Sequence, residues 1–288
     1  MPESARSAVS TSLRLRRLIA AAAAALAFFA AHGAARASVP VDLELVLAVD
    51  VSGSIDPDEA ELQRKGYLRS LVDPEVVRAI KAGPLGKIAL TYVEWAGMGH
   101  FKTVVDWSVI DGMERAQAFA ARLGAQPIET ARRTSLSDAI DRSVPLFAAK
   151  AYDGARRVID ISGDGANNYG RLVTAARDDA VRQGIVINGL PILTDAAGGS
   201  YPSIPDLDLF FRDCVIGGPG AFIVVARGFD DFARAVRKKL IIEIAGLPPP
   251  PAILWRAAGE QTDKRESPPC NIGERRWMNI IQGGRSDR

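Results

Sequence analysis

Between positions 46 and 55 the chain reads Val46-Leu47-Ala48-Val49-Asp50-Val51-Ser52-Gly53-Ser54-Ile55. An apolar, β-branched run ends in one carboxylate and two hydroxyls spaced i, i+2, i+4. On a tight loop at the end of a strand, Asp50, Ser52 and Ser54 would offer only oxygen donors, one of them charged. That set suits a hard divalent cation such as Mg²⁺. The carboxyl ends of the strands are also where open parallel α/β sheets bind ligands. Taken alone, Asp-x-Ser-Gly-Ser also occurs by chance as a turn, because Asp, Ser and Gly favour turns.

Two later segments bear on that choice. Arg133-Thr134-Ser135-Leu136-Ser137-Asp138-Ala139-Ile140 places a threonine in a loop just before an amphipathic helix. By itself, Thr134 or Ser135 reads as a helix cap, with Ser137 and Asp138 as cap and first-turn acid. Val158-Ile159-Asp160-Ile161-Ser162-Gly163-Asp164-Gly165 is a second buried strand that ends in an aspartate between glycines. By itself, Gly163-Asp164-Gly165 is a turn. Three such loops in this order arise by chance far less readily than any one.

Together these segments resemble the von Willebrand factor type A (vWA) domain family. Its metal-ion-dependent adhesion site opens with Asp-x-Ser-x-Ser after a buried strand. The resemblance covers most of Val41 to Ile244, and it is specific at the first motif and looser at the other two. It implies that Ser52, Ser54 and Thr134 give neutral oxygens directly to Mg²⁺ or Mn²⁺. Asp50 and Asp164 would act mainly through waters, orienting that shell and neutralising the ion. Ala139-Ile140 stand where the family has Ala-Leu. The family's Thr-Asp-Gly is Gly163-Asp164-Gly165 here, so the acid is kept and a hydroxyl is missing, with Ser162 as its partial substitute. Few direct carboxylates leave a coordination position open, and the carboxylate of an unidentified partner protein would fill it. The cation is then a binding device and the protein is not an enzyme. In relatives the last helix can shift to switch affinity, which here would be the helix at Asp230 to Ile244. Asn167-Asn168-Tyr169-Gly170 either rims the site or caps the next helix.

Around these loops the sequence alternates apolar strands with amphipathic helices. The pattern predicts an α/β fold: a doubly wound, mostly parallel sheet with helices on both faces and one antiparallel edge hairpin. Strands are expected at Leu43–Val49, Gly86–Trp95, His100–Trp107, Arg157–Ser162, Ile185–Leu190 and Ala221–Ala226. The turn Gly97-Met98-Gly99 joins the second and third into the hairpin. Asp56-Pro57-Asp58-Glu59 is a helix start, with a cap, a first-position proline and first-turn acids. Further helices are expected from about Pro74, from Asp111 as the cap of a helix to about Leu123, and from Ser137, Gly170, Pro205 and Asp230, with a kink at Pro145. Trp95, Trp107 and Tyr92 read as core or edge packing. No internal repeat is visible.

The ends carry separate signals. Residues 1–37 read as an export signal: Arg14, Arg16 and Arg17, then the apolar run Leu18–Ala31, then Ala35-Arg36-Ala37 as a cleavage site. An uncleaved N-terminal anchor is the alternative, and would be the only tie to a membrane. Arg16-Arg17 fits a twin-arginine signal only loosely, so ordinary Sec export is expected. Residues 38–246 form the vWA-like domain. Residues 247–288 are a linker, led by the proline run Pro248–Pro251, and a loosely ordered C-terminal tail. The protein is thus expected in the periplasm or outside the cell. There, Cys214 and Cys270 read as a disulfide that ties the tail back, or else as two separate thiols.

Charge and composition exclude several functions. The whole chain has 36 Lys and Arg against 34 Asp and Glu. Residues 1–37 hold five arginines and one glutamate, so the remainder has 31 against 33 and a net charge of −2. No basic stripe with interleaved aromatics remains, which disfavours nucleic acid. His100 is the one histidine after residue 37, so paired-histidine zinc hydrolysis does not fit. There is no Gly-x-Ser-x-Gly elbow, no phosphate loop at Gly217-Gly218-Pro219-Gly220, and Ser52 breaks the Asp-x-Asp of phosphoaspartyl transfer. A Mg²⁺-dependent hydrolase lacks its acid–base partners. A structural envelope scaffold with a vestigial metal site stays open as a third reading.

Overall fold

The computed structural model describes residues 38–149, 151–194, 204–246 and 265–283. The expected export signal and the proline run lie outside them.

The strands are β1 (Val39–Val41), β2 (Leu43–Asp50), β3 (Ile88–Trp95), β4 (Phe101–Ile110), β5 (Tyr152–Gly154), β6 (Arg157–Gly163), β7 (Val186–Leu193) and β8 (Ala226–Arg227). The helices are α1 (Pro57–Leu71), α2 (Pro74–Lys81), α3 (Met113–Gly124) and α4 (Leu136–Ser143), then α5 (Val173–Arg182), α6 (Leu207–Phe210), α7 (Phe232–Ala245) and α8 (Ile272–Gly283). Six strands form one sheet in the order β4-β3-β2-β6-β7-β8. All neighbours pair in parallel except β3 and β4, the antiparallel edge hairpin. A small parallel pair, β1 and β5, flanks it.

Every residue of β2 is buried, as expected of a central parallel strand covered on both faces. Its side chains alternate between two cores. Leu43, Leu45, Leu47 and Val49 pack with residues of α1, α2, α3 and α7, among them Tyr67, Val76, Phe119 and Phe232. Val46 and Ala48 pack with residues of α4, α5 and α6, among them Ile140, Val173 and Leu207. The helices thus lie on both faces. Among the described residues no helix is long and apolar enough to cross a membrane.

Local chemistry accounts for most boundaries. Asp56 and Glu59 form a reciprocal capping box ahead of Pro57, and this starts α1. Pro145 follows the end of α4, and residues Val144–Ala149 tighten into a 3-10 turn.

Three expectations are corrected. Asp111 does not cap α3; Gly112 takes that position without a side-chain bond. The strand expected at Ala221–Ala226 shrinks to β8. Gly217 already exchanges two backbone bonds with Ile187 on that edge of β7. The chain then makes single bonds, from Gly189 N to Phe222 O and from Val224 N to Gly189 O, so no full ladder forms before Ala226. The third correction concerns the tail, where a loosely ordered segment was expected. Ile272–Gly283 is a helix, tied to the domain by the Cys214–Cys270 bond and by Glu274 on Asn167.

Candidate metal centre

β2 delivers Asp50 to the carboxyl edge of the sheet with no exposure at all. Its Oδ1 accepts the Ser52 N–H at 2.7 Å and closes the tight turn. The backbone is fixed on both sides: Gln63 Nε2 donates to Asp50 O at 2.8 Å, and Val51 N donates to Trp95 O at 2.8 Å. Ser52 bridges to Ala131 in the loop that carries Thr134.

The three loops converge on a chain of oxygens. Thr134 Oγ1 donates to Ser52 Oγ at 3.3 Å. Ser52 Oγ lies 3.2 Å from Ser54 Oγ. Ser54 Oγ donates to Asp164 Oδ1 at 2.7 Å. Ser52, Thr134 and Asp164 are buried and Ser54 is half-buried. The structure therefore brings Asp50, Ser52, Ser54, Thr134 and Asp164 to one place.

Neighbouring candidates take other work. Ser135 is the N-cap of α4. Asp138 accepts from Gly99 N at 3.2 Å. Ser162 Oγ accepts from Tyr67 at 3.3 Å, so it serves the core beneath the site. Asn168 Oδ1 accepts the Thr134 N–H at 3.1 Å, and Asn168 N donates to Thr134 O at 3.0 Å. Asn167 Oδ1 accepts the Ser137 N–H at 3.0 Å. These two asparagines hold the Thr134 loop, a positioning role that their sequence distance of about thirty residues conceals.

The electrostatics fit a cation. Burial, and then the charge of Asp164, push the Asp50 carboxyl well above its usual range. Burial pushes Asp164 up to about 6, against the hydrogen bond from Ser54. Asp50 Oδ2 is buried without a hydrogen-bond partner, which is costly for a carboxylate unless a charge answers it. Two acids and three hydroxyls can meet that need around Mg²⁺ or Mn²⁺, with Ser52, Ser54 and Thr134 as direct donors. Among the described residues no group of three or more His, Cys, Asp or Glu gathers as a metal cluster. The site thus depends on hydroxyls.

Gly163 stands where the resemblance leads one to expect threonine, and the geometry explains the change. A Cβ there would lie 2.9 Å from Asp50 Oδ2 and 3.5 Å from the Trp95 ring. The indole and the carboxylate occupy the space a side chain would need.

The tail supplies the surprise. Cys214 and Cys270 form a disulfide with Cα atoms 5.4 Å apart. From there α8 runs beside the oxygen cluster. Glu274 Oε1 accepts from Asn167 Nδ2 at 2.7 Å. The Arg133 guanidinium lies 3.7 Å over the Trp277 ring and 4.9 Å from the Tyr169 ring centre. Arg133 itself has φ 73°, an unusual value for a side chain of this size. A cleft of about 240 Å³ remains, with Ser54, Thr134 and Asp164 on one side and α8 on the other. Nothing in the sequence of the tail singled out Trp277 or Glu274.

Residues 40–248 match the family described as "Protein of unknown function (DUF1194)". No curated protein matches the chain by sequence. Among solved structures, the fold is similar to proximal thread matrix protein 1 from the mussel byssus, at TM-score 0.52 and 14% identity over 73% of this chain and 47% of that one. A further structure of that protein, described as having a zinc-occupied MIDAS motif, gives TM-score 0.50 and 12% identity, covering 72% of this chain and 47% of that one. A von Willebrand factor type A protein from Catenulispora acidiphila gives TM-score 0.50 and 11% identity, covering 71% and 43%. This chain thus spans less than half the length of these structures. At such identities the likeness establishes the vWA fold alone.

Proposed function

The chain belongs to the DUF1194 family, and from that premise we propose that it is an exported vWA-fold binding protein. Its divalent-cation site would capture a carboxylate of a partner protein. The observation that carries this reading is the convergence of three strand-end loops on one oxygen chain, beside a buried Asp50 oxygen with no partner. Ser52, Ser54 and Thr134 would hold Mg²⁺ or Mn²⁺, with Asp50 and Asp164 behind them. The bound ion would supply a directional positive charge with an open position for an acid. The matrix protein of similar fold, known in a form with a zinc-occupied MIDAS motif, supports a divalent cation in this place.

Binding is favoured over catalysis. The site offers no histidine or lysine as a general base, and its acids are engaged by Ser52 N and Ser54 Oγ. Export rests on the signal-like residues 1–37 and agrees with the Cys214–Cys270 bond, which suits an oxidising compartment.

Calorimetric titration with Mg²⁺ and Mn²⁺ after EDTA treatment, beside Asp50→Ala, tests the proposal. Saturable binding that the variant loses is expected. A folded protein that binds neither ion at millimolar concentration would instead favour the scaffold with a vestigial site.

A further inference from the structure

The C-terminal helix sits too closely on the metal loops to be a passive tail. A Cβ at Gly273 would lie 2.0 Å from Asn167 O, so glycine alone permits this approach. One residue on, Glu274 bonds Asn167. One turn on, Trp277 stacks on Arg133, the residue before Thr134. The Cys214–Cys270 bond anchors the chain two residues before α8 begins. The contacts of Gly273, Glu274 and Trp277 lead to loops that carry or brace the oxygen cluster, while the disulfide ties α8 to the helical segment Phe211–Val215.

We propose that α8 is the specificity wall of the metal cleft: it admits to the cation only a carboxylate on a slim, partly apolar body, and Trp277 packs on that body. This rests on the metal reading above. Size and lining argue for it. The cleft of about 240 Å³ lies below the usual range of small-molecule pockets, roughly 300–1,000 Å³. Thr134 and Asp164, on its floor, are only 4% and 3% exposed, so a flat protein face cannot reach them. Trp277 and Ile280 make the wall apolar. A cation on the floor favours an anion, and the apolar flank favours a short carbon chain behind it. A free short-chain acid and a glutamate on a protruding loop share this chemistry.

The test uses the full, oxidised chain loaded with Mn²⁺, whose paramagnetism relaxes the protons of any acid that reaches it. The probes are butyrate and the capped tripeptide Gly-Glu-Gly. The proteins are the parent, Trp277→Ala, and the pair Cys214→Ser with Cys270→Ser. Mn²⁺ affinity is measured separately by calorimetry. Enhanced relaxation of at least one probe is expected in the parent. About tenfold weaker probe binding is expected in Trp277→Ala and in the serine pair, each compared with the parent at Mn²⁺ concentrations that saturate that protein. Butyrate binding would make a free acid sufficient; relaxation of the peptide alone would assign the acid to a polypeptide. A Mn²⁺-loaded parent that relaxes neither probe overturns the proposal, as does equal or tighter probe binding in Trp277→Ala. Absence of Mn²⁺ binding in the parent overturns the metal reading itself, and this inference falls with it.

Discussion

Ser54 Oγ donates a 2.7 Å hydrogen bond to Asp164 Oδ1 across 110 residues of sequence. The bond ties the first motif to the third and turns the serine oxygen toward the cluster. Ser54→Ala removes that donor and one proposed metal oxygen while leaving a half-buried position filled. Metal affinity is expected to fall roughly 10- to 100-fold, the range seen when groups supporting a metal site are lost. Stability without metal should drop by about 1 kcal/mol. Parallel calorimetry and urea unfolding would check both; undiminished affinity would remove Ser54 from the site.

Cation binding should stabilise the fold by mass action. With Mg²⁺ at 100 times its dissociation constant, the gain is about 2.7 kcal/mol. Thermal unfolding with Mg²⁺ and with EDTA should therefore differ for the parent and coincide for Asp50→Ala. A parent protein with identical curves would contradict a specific site.

Gly163→Ala should damage the site from below. The added Cβ would press on Asp50 Oδ2 at 2.9 Å, and the carboxylate has no exposed space to retreat into. Overpacking of this kind costs about 1–3 kcal/mol. Lower stability together with weaker metal binding is expected, and full retention of both would show that Asp50 can move.

A buried charge cluster beneath the site predicts a pH dependence. Lys239 of α7 lies 2.6 Å from Asp160 of β6 and 2.8 Å from Glu243 of α7, while Tyr67 of α1 faces the same group. One ammonium answers two carboxylates there. Burial, and then the Glu243 charge, raise Asp160 to about 8. The folded state thus keeps a proton that the unfolded chain has released, so stability is present at acid pH and lost as pH rises toward 8. Denaturant midpoints from pH 5 to 9 should decline in the parent, and Asp160→Asn should flatten that part of the slope. Parallel slopes in the two proteins would remove Asp160 from the account.

Reduction should release α8 before it unfolds the sheet. The Cys214–Cys270 bond closes 56 residues, worth about 4 kcal/mol by the chain-entropy account. Amide exchange in 272–283 should accelerate on reduction while β2 and β6 stay protected. Unchanged protection of α8 would mean that its contacts with Asn167 and Arg133 suffice alone.

Much of the fold was legible because its signals are local. The apolar run of β2 has to be covered on both faces, and Asp56-Pro57-Asp58-Glu59 starts a helix wherever it stands. The hairpin of β3 and β4 follows from two apolar strands around Gly97-Met98-Gly99. The boundaries that failed were set by partners. Asp111 lost its capping role to the backbone path at Gly112, and the strand at Ala221 was cut short because Gly217 had already bonded the β7 edge.

The sequence by itself determined which oxygens could serve a cation, since Asp50, Ser52 and Ser54 are neighbours on one turn and their geometry is short-range. Only the tertiary structure decided that Thr134 and Asp164 meet them within hydrogen-bond reach, that Asn167 and Asn168 brace the loop, and that α8 walls the cleft. Those relations span 30 to more than 100 residues. They depend on how the sheet stacks its strand ends and where a disulfide returns the tail, and no local propensity encodes that.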